Sequence, residues 1–183
     1  MQVVILAGGF GSRISEYTKL IPKPMIKINK KPIISHIIDI YKKYNVSEFL
    51  IATGYKGKII ENYFKNSKIN IKCIYTGKNV MTGGRLKRVK KYVNDTFMLT
   101  YGDGLANINI SKLLKFHKRK KRICTVTAVR PPARFGEILF GNNSLVNKFK
   151  EKPQTNNSWI NGGYFVMEKE IFKYLKNDKT ILE

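Results

Sequence analysis

Several short stretches of this 183-residue chain have the residue types and spacing that phosphate chemistry needs. The first is LAGGFGSR, residues 6–13. Gly8, Gly9 and Gly11 remove side chains where the chain must turn, so another molecule can approach the backbone closely. Arg13 adds a cation with five donors in a fixed fork. Exposed amides beside a guanidinium suit a phosphate; the plainer alternative is a tight strand-to-helix turn with a solvated arginine. The second is YGDG, 101–104. Asp103 between Gly102 and Gly104 suits a magnesium ion that carries phosphates, or else an Asx turn or helix cap. Lys23 is pinned between Pro22 and Pro24, which limits its backbone. Arg85 follows Gly83-Gly84 at a helix start, where backbone amides attract anions. Glu151 and Lys152 precede Pro153, and Asn161-Gly162-Gly163 interrupts an apolar strand, as a bulge or a close backbone approach does. The named phosphate motifs do not fit. The third glycine of the dinucleotide fingerprint is replaced by Ile14, and no GK[ST] tripeptide occurs.

The elements that must carry these residues alternate between strand and helix. Val3 to Leu6 form an apolar run that reads as a buried parallel strand. Lys31-Pro32 opens a helix with proline at its first position, and Ile33, Ile34, Ile37, Ile38 and Tyr41 give it one apolar face. Strands are expected at 48–54, 69–75, 96–101 and 124–129, and helices at 57–66, 82–93, 109–121 and 169–177. EILF, LVNKFK and WINGGYFVM read as strand-like pieces. That order implies an α/β sandwich with a mostly parallel sheet. Ligands in such folds bind at the carboxyl ends of strands, where LAGGFGSR and YGDG both fall.

Composition narrows the classes. Hydrophobic content of 43% marks a folded globule, long enough for one domain with a real core. No apolar stretch approaches a membrane span, and the short apolar start is unlike a signal peptide. Cys73 and Cys124 match no metal spacing and are expected as buried free thiols in a reducing cytoplasm. His36 and His117 are expected on helix surfaces. The net charge of +23 suits an anionic partner. The lysines are dispersed, however, and isoleucine and asparagine are plentiful too, as AT-rich coding gives. The densest run, KFHKRKKR at 115–122, lacks the interleaved aromatics of a nucleic-acid platform. No nucleic-acid partner and no membrane are therefore expected.

Taken together and in order, LAGGFGSR, PKPM, YGDG and EKP resemble the sugar-nucleotide pyrophosphorylases. VMTGGRLKRVKKYV, TYGDGLANINI, VTAVRPPARFGEI and WINGGYFVME narrow the resemblance to the glucose-1-phosphate cytidylyltransferase branch, over nearly the whole chain. The resemblance implies a Rossmann-like nucleotidyltransferase fold, a three-layer α/β/α sandwich. It implies one domain, 1–183, with a nucleotide-binding half (1–105) and a sugar-phosphate half (106–183). It implies the reaction of CTP with α-D-glucose 1-phosphate to CDP-glucose and pyrophosphate, with Mg²⁺, in nucleotide-sugar synthesis for surface polysaccharide such as lipopolysaccharide O-antigen. Carried over by motif, Leu6, Ala7, Gly8 and Gly9 would hold base and ribose. Gly11, Ser12 and Arg13 would wrap the triphosphate beside Phe10, with Arg13 bracing the departing pyrophosphate. Lys23 would neutralise the α-phosphate and steady the attacking phosphate. Arg85 and Gly102 would lie beside the nucleotide, and Asp103 would bind Mg²⁺. Gly136, Glu151, Lys152, Asn161 and Gly162 would receive the sugar phosphate. Ser12 and Val80 stand where the family has threonine, and an insertion between 66 and 69 is nearly absent. The family also carries a further C-terminal segment with a second metal-binding aspartate and oligomer contacts; its members are homo-oligomers.

Overall fold

The structure is a computed structural model, and it describes every residue except 12–14, 134 and 155–158. The chain opens with β1 (Gln2–Ala7), buried along its whole length. A short helix α1 (Ser15–Thr18), a 3-10 turn (Lys23–Met25) and the ribbon of β2 (Lys27–Ile28) with β3 (Lys31–Pro32) lead to α2 (Ile33–Lys42). Helix α2 buries Ile34, Ile37, Ile38 and Tyr41, as their spacing predicts, while Pro32 sits just before the helix as its cap. Then follow β4 (Glu48–Thr53), α3 (Gly57–Phe64), β5 (Asn70–Tyr75), α4 (Thr82–Arg88), β6 (Thr96–Tyr101), α5 (Ile110–Lys120) and β7 (Cys124–Val129). The hairpin of β8 (Glu137–Phe140) and β9 (Val146–Lys150) precedes β10 (Ile160–Glu168).

Two expected helices come out differently. The pattern at 82–93 breaks at Val89 (φ −97°, ψ 3°), which is fully buried, and continues as a 3-10 turn over Lys90–Tyr92. The stretch at 169–177 is a 3-10 turn, Lys169–Lys173, that turns Phe172 into the core.

The main sheet has the order β5-β4-β1-β6-β10-β7. β1 runs parallel to both β4 and β6, β4 runs parallel to β5, and β10 is antiparallel to β6. The chain therefore builds outward from β1 to β5, then returns through α4 to lay β6 on β1's other side. The reversal puts a crevice outside the carboxyl ends of β1 and β6, the place where open α/β sheets bind ligands. Alternate residues fill two cores. Val3, Ile5, Phe49 and Ile51 pack with α2, α3 and α5. Val4, Leu6, Leu50 and Leu99 pack with Leu86 and Val89 and with Phe172. These two cores make the expected layers, at about 1.5–3 kcal/mol for each large side chain removed from water.

The chain divides into two compact units, Met1–Thr125 with Gly163–Glu183, and Val126–Gly162. His117 corrects another expectation. It is 1% exposed, because Nδ1 meets Thr125 Oγ1 at 2.8 Å and Nε2 meets Glu168 Oε1 at 2.9 Å. His36 contacts the Ile28 carbonyl near the surface. The thiols of Cys73 and Cys124 are free, but Cys73 is only half-buried and Cys124 is exposed. Among the described residues no helix is long and apolar enough to cross a membrane.

Candidate functional site: a cleft at the carboxyl ends of β1 and β6

A cleft of about 680 Å³ opens in the first unit at the predicted strand ends. One wall is the end of β1 and the turn after it, Leu6 to Gly11; a second is Lys78 to Thr82 with Arg85. It is also lined by Tyr101 at the end of β6, by Gly102 and Asp103 just after it, and by Lys23 and Pro24. Register explains the meeting of the two glycine turns: Leu6 pairs with Tyr101, and the Gly102 amide donates to the Leu6 carbonyl at 2.9 Å.

Lys23 and Asp103 form an ion pair, Nζ to Oδ2, at 2.6 Å. The 3-10 turn fixes Lys23, and β6 delivers Asp103. Both side chains are about one-third exposed, so a ligand can reach either. Arg13 and Ser12 lie outside the described residues.

The glycines do three separate jobs. A Cβ on Gly8 would overlap the Arg85 guanidinium, and one on Gly54 would lie 2.5 Å from Arg85 Nη1. These two positions therefore make room for an arginine of the protein itself. Gly11 has φ +68° and packs on Thr18 and Lys23, so there the left-handed turn is what requires glycine. A Cβ on Gly9 would meet nothing within 4 Å, which leaves that backbone open to a ligand.

Arg85 lines the cleft but is 3% exposed. Its Nη1 and Nη2 donate to the carbonyls of Thr53, Gly77, Gly8 and Val80 at 2.9–3.2 Å and to Thr76 Oγ1 at 2.5 Å. Burial lowers its proton affinity, partly offset by Tyr75, yet a guanidinium stays charged in proteins. The α4 start, expected to offer amides to anions, is covered instead. The Met81 amide donates to Asp178 O at 2.9 Å and the Gly84 amide to Thr180 O at 3.1 Å. Gly83 and Gly84 are glycines because residues 178–180 lie against them.

Sequence reasoning missed several cleft residues. Lys78 follows β5 at its carboxyl end, the position that the strand-end rule singles out. Its Nζ sits 5.8 Å from the Phe10 ring centroid and 6.0 Å from that of Tyr55, beside the Phe10–Tyr55 ring contact at 5.3 Å. Glu183 had no sequence signal. Its carboxylate accepts from Tyr101 Oη at 2.5 Å and Thr82 Oγ1 at 2.7 Å. Burial pushes its proton affinity up, but the two hydroxyls and backbone groups outweigh burial and hold it below the usual carboxylate range.

The residues expected on the sugar phosphate lie in the second unit, Val126–Gly162. There a Cβ on Gly136 would sit 3.1 Å from Glu151 Oε2, and Lys152 Nζ lies 3.7 Å from Glu151 Oε1. Lys152 takes a left-handed backbone, φ +42°. Asn161 and Gly162 stand at the start of β10, and Gly162 packs against Val129 and Thr127.

Divalent-metal binding needs hard oxygen donors. Asp103 supplies one accessible carboxylate on the cleft wall, and no group of three or more possible metal ligands occurs among the described residues. That set fits a magnesium ion held mostly by phosphate oxygens and water.

A mostly parallel sheet with a glycine turn and a lone aspartate meeting at its switch point has the architecture of a ligand-binding α/β domain. Comparison with known proteins sharpens that class. The family model for nucleotidyl transferases matches residues 2–181, and the chain belongs to that family. It is 39% identical to the glucose-1-phosphate cytidylyltransferase of Salmonella typhimurium, over all of this chain and 81% of that protein. It is 35% identical to the D-glycero-alpha-D-manno-heptose 1-phosphate guanylyltransferase of Campylobacter jejuni, over 94% of this chain and 78% of that one. Among solved structures it resembles HddC from Yersinia pseudotuberculosis, complexed with GMP-PN, with a TM-score of 0.76 and 26% identity. That match covers all of this chain and 83% of HddC.

Proposed function

We propose that the chain transfers a cytidylyl group from CTP to α-D-glucose 1-phosphate, giving CDP-glucose and pyrophosphate. The observation that carries this reading is the Lys23–Asp103 pair in a cleft walled by open glycine backbone, in a chain 39% identical to a glucose-1-phosphate cytidylyltransferase. A sugar phosphate is already ionised near neutral pH, so its oxygen needs no side-chain base. That oxygen forms a bond to the α-phosphorus as the α–β bridging bond breaks, and pyrophosphate leaves with the electron pair. Such a reaction asks for positioning and charge stabilisation. In this reading Lys23 exchanges Asp103 for phosphate oxygens and steadies both anions. The Gly9 backbone and its neighbours Leu6 to Gly11 take the nucleotide, and Arg13 braces the pyrophosphate. Asp103, released from Lys23, would hold Mg²⁺, which supplies neutralising charge on the phosphates when bound. The residues from Gly136 to Gly162 named above are assigned to the sugar phosphate by the resemblance.

Two unpaired cysteines suit a reducing cytoplasm, where this step of surface-polysaccharide precursor synthesis would run. The resemblance also carries a homo-oligomer, which light scattering reads. The 35% identity to a heptose 1-phosphate guanylyltransferase supports a second reading, GTP with another sugar 1-phosphate. One panel separates them: each nucleoside triphosphate with glucose, mannose or heptose 1-phosphate and Mg²⁺, read by pyrophosphate release. The reading predicts release that is fastest with CTP and glucose 1-phosphate. Faster release with GTP selects the second reading, and no release by folded protein with any pair rejects both.

A further inference from the structure

We propose that Arg85 is a positioning residue that sets which base the cleft accepts, by fixing the peptide planes of both walls, and that it leaves the phosphates to other cations. The proposal rests on the nucleotide reading above and names a determinant of its base choice.

The two Nη atoms carry four N–H groups, and they face five acceptors, four backbone carbonyls and the Thr76 hydroxyl. A phosphate ligand would find those donors engaged. The carbonyls come from residues just beyond the ends of β1 and β5, from the last residue of β4, and from the cleft wall at Val80. One buried cation thus draws three neighbouring strand ends and one loop to a point.

Peptide geometry converts that convergence into recognition. In a planar trans peptide the C=O and the following N–H point in opposite directions. The Gly8 carbonyl faces Arg85 and also accepts from the Tyr55 amide at 3.1 Å. The Gly9 N–H is therefore turned away from Arg85, on a residue whose Cβ position is open. The same logic turns the Lys78 N–H away from Gly77's bonded carbonyl. On the Val80–Met81 plane the amide is held from the other side by Asp178. Backbone groups that read a base discriminate only when held to within tenths of an ångström. Without the guanidinium, four carbonyls lose a charge-assisted partner, and the planes are held less firmly, by the remaining bonds of Tyr55, Thr76 and Asp178.

The test uses the full chain with R85K and R85Q, both checked for a cooperative melt. In free protein, amides at 8–11, 54–55 and 77–82 should exchange with deuterium at least tenfold faster in R85Q, while β1, β4 and β6 keep their protection. Unchanged exchange in all three loops overturns the proposal. Next, kcat/KM for CTP, UTP, dTTP and GTP is measured with one sugar phosphate, and magnesium pyrophosphate binding is measured by calorimetry. The preference for the best base over the next should fall at least tenfold in R85K, with pyrophosphate affinity within threefold of wild type. Retained base preference with tenfold weaker pyrophosphate binding would make Arg85 a phosphate ligand and overturn the proposal. If R85Q does not fold, R85K carries both arms. A wild-type chain that turns over no triphosphate fails the nucleotide reading, and with it the assignment to base choice; the exchange result then still reports on the clamp.

Discussion

Lys23 and Asp103 neutralise each other side by side in the cleft, and this makes them reporters of function more than of stability. Both are about one-third exposed, and such pairs contribute about 0–1 kcal/mol. K23M and D103N should therefore melt within about 1 kcal/mol of wild type, yet each should lower pyrophosphate release by about 100-fold or more. The two measurements are a thermal melt and a coupled assay; rates near wild type in either variant remove its role. The glycines divide the same way. G8A forces Arg85 off its carbonyls and leaves buried acceptors unpaired, at about 1–3 kcal/mol. G9A places its methyl in open space, so its melt should stay near wild type while calorimetry reads weaker CTP binding. A reversed pattern, with G9A unstable and G8A neutral, contradicts the assignment. The sequence placed Gly8, Gly9 and Gly11 in one glycine-rich turn that suits a ligand. It did not reveal that Gly8 serves Arg85, because the contact spans 77 positions in sequence.

Helix α4 is an element whose sequence reads as a ligand site and whose N-terminus is covered by the protein's own chain. Residues 178–180 cap its first turn. Asp178 also forms a two-pronged pair with Arg88, at 2.8 and 2.5 Å. The Arg88 hydrogen bond holds the Asp178 carboxyl below its ordinary range, and the groups around Glu183 do the same there. A depressed folded-state value means that the contribution is complete above the unfolded value and is lost as pH falls through the folded one. The cap should therefore hold at neutral pH and loosen below about pH 4. Melts of wild type and D178N should converge over that range, and a gap that widens on acidification contradicts the pairing. Helix α5 gives a second case. The sequence placed a helix at 109–121, against Ile110–Lys120 in the structure, but a lone histidine in a basic helix gave no sign that His117 would face Thr125 and Glu168 across 8 and 51 positions. H117L leaves those partners unsatisfied and should cost about 1–3 kcal/mol in a denaturant melt, with CTP binding kept.

At the scale of the whole molecule, what the sequence carried was the order of elements and the strand ends. Val3 to Leu6 read as a central parallel strand because they are apolar on both faces, and β1 is central and buried. The alternation of elements implied the layered sheet, and the strand-end rule placed Leu6 to Gly11 with Gly102 and Asp103. What it could not carry was return contact between distant segments. The Tyr101–Glu183 and Thr82–Glu183 bonds and the unit boundary at 125–126 and 162–163 arise from tertiary packing. On the proposed function, a nucleoside triphosphate would lie at the carboxyl ends of β1 and β6. Deuterium exchange of the full chain with and without CTP and Mg²⁺ tests it most directly. Exchange should slow at 6–11, 78–85 and 101–103, and bound CTP that leaves these three segments unprotected contradicts that placement.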